Sequence, residues 1–135
     1  MIQQTDTVVA PVKTPNRLRR ITLISFGFKY GQPPANYYFD VSFLTNPARQ
    51  PQWDLFSQPC DRMRQFVLDQ PEARAFIDAV VPLLQVLIEA DDDVRVAFGC
   101  SSGRHRSCII AEQVKTRLEN DHTQVRLVHR EEPYA

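Results

Sequence analysis

Residues 94–114 constrain this chain more than any other stretch. A short apolar run, V-R-V-A-F, leads into Gly99-Cys100-Ser101-Ser102-Gly103-Arg104-His105-Arg106-Ser107, and a helical pattern follows. Small residues and arginines crowd a turn between a strand and a helix start. Backbone N–H groups at a helix N-terminus point outward, and the positive end of the helix dipole favours an anion there. Small side chains let the backbone approach a phosphate closely, and Arg104 and Arg106 offer planar forked donors. The loop reads as the functional site.

Which anion it serves depends on the rest of the chain. At 135 residues there is length for one domain with a proper core. Sixteen basic residues balance sixteen acidic ones. That balance argues against tight non-specific grip on a nucleic-acid backbone. Cys60, Cys100 and Cys108 are odd in number and unevenly spaced, which suits neither a disulfide framework nor a metal knuckle. A reducing cytoplasm is the expected location, and no metal or cofactor is expected. No apolar run approaches membrane-spanning length, so no membrane partner is expected, and residues 1–16 read as a flexible polar tail ahead of a single domain, 17–135.

Along the chain, residues 19–28 (I-T-L-I-S-F within) read as a buried strand ending in a loop broken by Pro33 and Pro34. Residues 37–44 read as a second strand, with Asp40 as a turn or cap carboxylate. Residues 46–59 read as a proline-rich covering loop, and Asp61 as the cap of a short helix through Leu68. Pro71 suits the first turn of the next helix, and Pro82 is expected to kink or split it near Val81. The triplet Asp91-Asp92-Asp93 reads as a solvated turn. Residues 94–99 form a strand and about 105–118 a helix, with Ile109, Ile110, Val114 and Leu118 inward and Cys108 an inert core thiol. Residues 124–128 form the last strand. Strand, helix, strand at this spacing predicts parallel strands, so the fold class is α/β, a small mainly parallel sheet with flanking helices. Ligands in such sheets bind beyond the carboxyl ends of the strands. Residues 99–106 fall there, as do 26–30, His129 and Arg130 if the first strand is parallel to the others.

Two chemistries fit the loop. Cys100, five residues, then Arg106 and Ser107 match the spacing of cysteine-dependent phosphatases, in which a thiolate attacks phosphorus and an arginine holds the phosphoryl group. Gly99 stands where those enzymes usually carry histidine, and no upstream aspartate stands out as the acid. The other chemistry is binding without turnover, with no catalytic residue.

The second reading also has a family behind it. Ser25-Phe26-Gly27-Phe28-Lys29-Tyr30-Gly31, Phe39-Asp40-Val41, Phe43-Leu44, Asn46-Pro47, Gly99-Cys100 with Gly103 and His105-Arg106-Ser107, Ala111-Glu112-Gln113 and His129-Arg130 occur in the order found in the C-terminal domain of the RNase adapter protein RapZ. The chain resembles that family over residues 21–130. The resemblance implies a fold similar to a phosphofructokinase subdomain, binding of glucosamine-6-phosphate or a related phosphometabolite such as a nucleotide sugar, and a contribution to RNA binding. It implies a ligand site of Cys100, Gly103, His105, Arg106 and Ser107, with Lys29 and Tyr30 nearby. Reading the loop itself adds Gly99, Ser101, Ser102 and Arg104, and the strand end adds His129 and Arg130. The family's N-terminal P-loop domain has no counterpart in these residues, which leaves a separate P-loop protein as a candidate partner and homo-oligomerisation open. The family pattern D-V-R-F-L-x-N-P-H reads D-V-S-F-L-T-N-P-A here, with Ser42 and Ala48 in place of two polar residues and Arg49 beside them. The family's basic tail is replaced by Glu131-Glu132-Pro133-Tyr134-Ala135.

Overall fold

A computed structural model describes residues 18–131. The tail expected at residues 1–16 lies outside the described residues. Four strands, β1 (Arg19–Gly27), β2 (Tyr37–Asp40), β3 (Asp93–Cys100) and β4 (Thr123–His129), form one sheet in the order β2-β3-β1-β4. All neighbours are parallel. β3 and β4 are therefore parallel as expected, but β1 lies between them. The three helices are α1 (Asp61–Leu68), α2 (Pro71–Ala90) and α3 (Arg106–Leu118).

Side chains alternate across a strand, and this alternation divides the core in two. Ile21, Leu23, Val94, Val96 and Phe98 face the helices and join Ile77, Val80, Leu84, Ile109, Ile110 and Val114 in the main core. Full burial of each such side chain is worth roughly 1.5–3 kcal/mol. Ile24, Phe26 and Ala97 face the other way, under Phe28, Ala35 and Val128. Both faces of β1 are apolar, which is why its sequence reads as a continuous run rather than an alternating one.

Three expectations change. The second strand stops at Asp40 rather than residue 44, because the Asp40 carboxylate accepts the Ser42 N–H at 2.8 Å and turns the chain. Asp61 is the first residue of α1, not its cap; Cys60 holds the cap position without a side-chain hydrogen bond. Pro82 does not split α2, which runs unbroken for 20 residues. Pro82 faces solvent while Val80, Val81 and Leu84 are buried, so the carbonyl it leaves unbonded can be hydrated and the packed face holds the axis together. The aspartate triplet is exposed, and Asp92 pairs with Arg19 at 3.4 Å. Among the described residues no helix is long and apolar enough to cross a membrane.

The register sets the carboxyl edge. Gly27 lies beside Cys100, Asp40 beside Gly99, and Ser25 beside His129. β1, β2 and β3 therefore end where the glycine-rich loop begins, and β4 ends two residues short of that level.

Candidate functional site: an amide-lined loop at the carboxyl edge

The loop after β3 crosses the end of β1 backbone to backbone. A Cβ on Gly103 would stand 2.3 Å from the Gly27 nitrogen, and one on Gly27 would stand 2.4 Å from the Ser102 carbonyl carbon. Gly103 also has φ of +73°, a conformation that L side chains rarely adopt. The Cys108 thiol donates to the Gly103 carbonyl at 3.2 Å, and the Glu131 carboxylate accepts the Gly27 N–H at 2.9 Å. This crossing turns the loop over the sheet edge and into α3.

His105 holds the cap position of α3 without a side-chain cap. Among the described residues, no backbone N–H from Ser101 to Cys108 donates to a protein acceptor. Buried amides without partners are rare in folded proteins, and five residues of this run, Ser101, Ser102, Arg104, His105 and Arg106, border one cleft. Asn46, Leu55, Cys100, Ser101, Ser102, Arg104, His105 and Arg106 line a narrow cleft of about 10 Å³, room for about one water molecule. A phosphate group would enter it only as the cleft walls part.

Three consecutive side chains reach from the loop to the segment after β2. Arg104 Nε donates to the Leu55 carbonyl at 3.0 Å, with its guanidinium over the Phe56 ring. His105 Nε2 lies 2.6 Å from the Ser57 carbonyl, which can only accept, so this nitrogen carries the proton. Arg106, 7% exposed, donates through one terminal nitrogen to the Ser42 and Leu44 carbonyls and through the other to Ser101 Oγ. The sequence suggested a guanidinium fork aimed wholly at an anion. Here one arm closes the cleft wall and the other lies at the cleft.

The remaining sequence candidates take varied places. Gly99, the next-to-last residue of β3, lies under the Phe26 and Phe28 rings, and Ser107 Oγ accepts from Cys100 Sγ at 3.3 Å. Lys29 and Tyr30 lie exposed on a 3-10 turn (Phe28–Tyr30) outside the cleft lining, the Lys29 ammonium over the Tyr30 ring. His129 turns inward to Ser25 at 2.6 Å and lies 3.6 Å from Glu112, and Arg130 bonds Glu131 and the Gly31 carbonyl. Asn46 and Leu55 line the cleft although sequence reading did not select them. The pairing of Asn46 with Pro47 ahead of a short 3-10 turn (Pro47–Arg49), where Asn46 caps the Ala48 N–H, was the available signal for the first.

Two properties of the site are open to measurement. Burial chiefly pushes the Cys108 thiol up to about 12, Cys100 is 3% exposed, and Cys60 is exposed. Ellman's reagent should therefore label one thiol rapidly in the folded chain and all three in urea; rapid labelling of a second would mean the cleft opens to Cys100. Burial also lowers His105 below its ordinary 6.5, against the raising effect of its bond to Ser57 and with a further lowering by Arg104 and Arg106. The unfolded chain then takes up the proton first. This part of the stability is complete above pH 6.5 and is lost as pH falls from there towards the lower native value. Urea midpoints should fall over that interval in the wild type and fall less in His105→Asn.

The RapZ C-terminal domain family model matches residues 19–133. A protein of Trichlorobacter lovleyi named "Nucleotide-binding protein" is 42% identical over 82% of this chain and 41% of its own length. A protein of the same name from Dictyoglomus thermophilum is 40% identical over 82% of the chain and 40% of its length. One from Nocardioides sp. is 35% identical over 96% of the chain and 45% of its length. The chain thus spans about two fifths of these relatives.

Proposed function

The chain belongs to the RapZ C-terminal domain family, and from that premise we propose that it is a non-catalytic binding module for the phosphate end of an amino-sugar phosphate or related phosphometabolite. The observation that carries this reading is the set of unpartnered amides at Ser101, Ser102, Arg104, His105 and Arg106, all residues that line the cleft. The Gly27–Gly103 crossing anchors the loop, so a doubly charged oxyanion entering as the cleft walls part meets amide hydrogens, and the first turn of α3 adds its dipole. The Arg106 arm that donates to Ser101 Oγ, and the Ser101 hydroxyl itself, complete the donor set. The name shared by the relatives is in keeping with a phosphorylated ligand.

The Cys100–Ser107 contact favours a second reading, in which the thiol attacks phosphorus. The cleft lining supplies no carboxylate to protonate a leaving oxygen, which is why binding is the better account.

The test is a thermal-shift titration with glucosamine-6-phosphate, unphosphorylated glucosamine, inorganic phosphate and nucleotides at millimolar concentration. Stabilisation should require the phosphate and grow with ligand as mass action dictates. Absence of a shift from every phosphorylated compound would sink the binding reading. Release of p-nitrophenol from its phosphate ester, abolished by Cys100→Ser, would establish the second reading instead.

A further inference from the structure

The second face of the sheet carries a surface that the phosphate cleft does not use. Parallel sheets are almost always covered on both faces. Here the three helices share one face, and on the other Phe28 and Ala35 cover the carboxyl-end half over Ile24, Phe26 and Ala97. Among the described residues nothing covers the amino-end half, an open hollow lined by Arg20, Thr22, Asp93, Arg95, Gln124 and Arg126. Arg95 and Arg126 stand on either side of Thr22 in register, two strand spacings or about 10 Å apart. Arg20 lies in the next row on that face, between Asp93 and Gln124. Among the described residues none of these three arginines pairs with a carboxylate, although Arg95 Nε donates to the Pro34 carbonyl.

We propose that this face docks a protein partner presenting a cluster of carboxylates. Three guanidinium forks against one aspartate form a local positive field in a chain of zero net charge, and carboxylates are the protein groups that match such forks two bonds at a time. A nucleic-acid backbone is the less fitting occupant. Strong grip on it needs a longer basic track, whereas these charges end within three strands and Asp93 borders them. A protein layer is also what ordinarily closes the open side of a parallel sheet.

The family relatives show that further chain accompanies this domain, since it spans only about two fifths of their length. The described chain enters β1 at Arg19, on the same edge as the hollow. The chain's own ends fit poorly. Residues 1–17 contain Asp6 alone against Lys13 and Arg17, and Glu131 is held by Gly27 at the opposite edge.

The test uses the full chain with an oligoglutamate peptide and an oligouridylate of equal length, measured by fluorescence anisotropy at low and near-physiological ionic strength. Oligoglutamate should bind, lose affinity with salt, and resist competition by glucosamine-6-phosphate. The triple variant Arg20→Gln, Arg95→Gln, Arg126→Gln should weaken it by about tenfold or more. Should that variant melt early, Arg126→Gln alone, at an exposed position, should still weaken it about threefold. The proposal is overturned by absence of peptide binding, by binding that both variants retain, by competition from the sugar phosphate, or by tighter oligouridylate binding with the same losses. Competition would place the peptide in the cleft, while the thermal-shift result reports on the cleft separately.

Discussion

Gly103→Ala is expected to destabilise the domain by about 3 kcal/mol or more, lowering the melting temperature by about 10 °C or more and abolishing phosphate-ester binding. Two effects add at this position. The φ of +73° is unfavourable for any L side chain, and the new Cβ would meet the Gly27 nitrogen and the Phe26 carbonyl carbon at 2.3 and 2.5 Å. Those are backbone atoms of β1, paired with β3 at Gly99 and Cys100, so they cannot move aside cheaply. Gly31→Ala separates the two effects, because Gly31 has φ of +87° but no atom within 4 Å of the new Cβ. With ψ of 159° it should cost about 1–3 kcal/mol, from conformation alone. Urea unfolding of the pair decides the matter: equal losses would mean that conformation, not the crossing with β1, makes Gly103 obligatory.

The second large effect is expected from Arg106→Ala. The guanidinium satisfies the Ser42 and Leu44 carbonyls, and its removal leaves both acceptors without a partner beside a vacated space. A stability loss of about 3 kcal/mol is expected. Phosphate-ester affinity should fall about a hundredfold, since the cleft wall and one cationic donor go together. Arg106→Lys should recover little of either, because a single ammonium cannot reach two carbonyls and Ser101 Oγ in the same plane. Full binding by the lysine variant would show that charge alone matters and that the fork does not.

Much of this architecture is legible in the sequence because its signals are local. The β-branched and apolar runs of β1, β3 and β4 mark buried strands, and the period of Ile109, Ile110, Val114 and Leu118 marks the inward face of α3. The carboxyl-edge position of the loop follows from strand–helix–strand order alone. What stayed hidden depends on partners far away in the chain. Arg104, His105 and Arg106 find carbonyls 48 to 64 residues earlier, and a backbone oxygen has no letter in the sequence. Pro82 does not split α2 because its local penalty, though real, is outweighed by burial of Val80, Val81 and Leu84. The extent of β2 was overread because one Asp40–Ser42 hydrogen bond competes successfully with an apolar run.

The stapling of residues 42–57 by three adjacent side chains couples two events that are usually separate. The groups that keep that segment folded against the body are the same groups that shape the cleft. By thermodynamic reciprocity, an occupant that prefers the stapled state would tighten the segment, and loosening the segment would weaken that occupant's binding. The exposed Phe56 ring at its tip would then report occupancy to the exterior, as a flag raised or lowered by metabolite concentration.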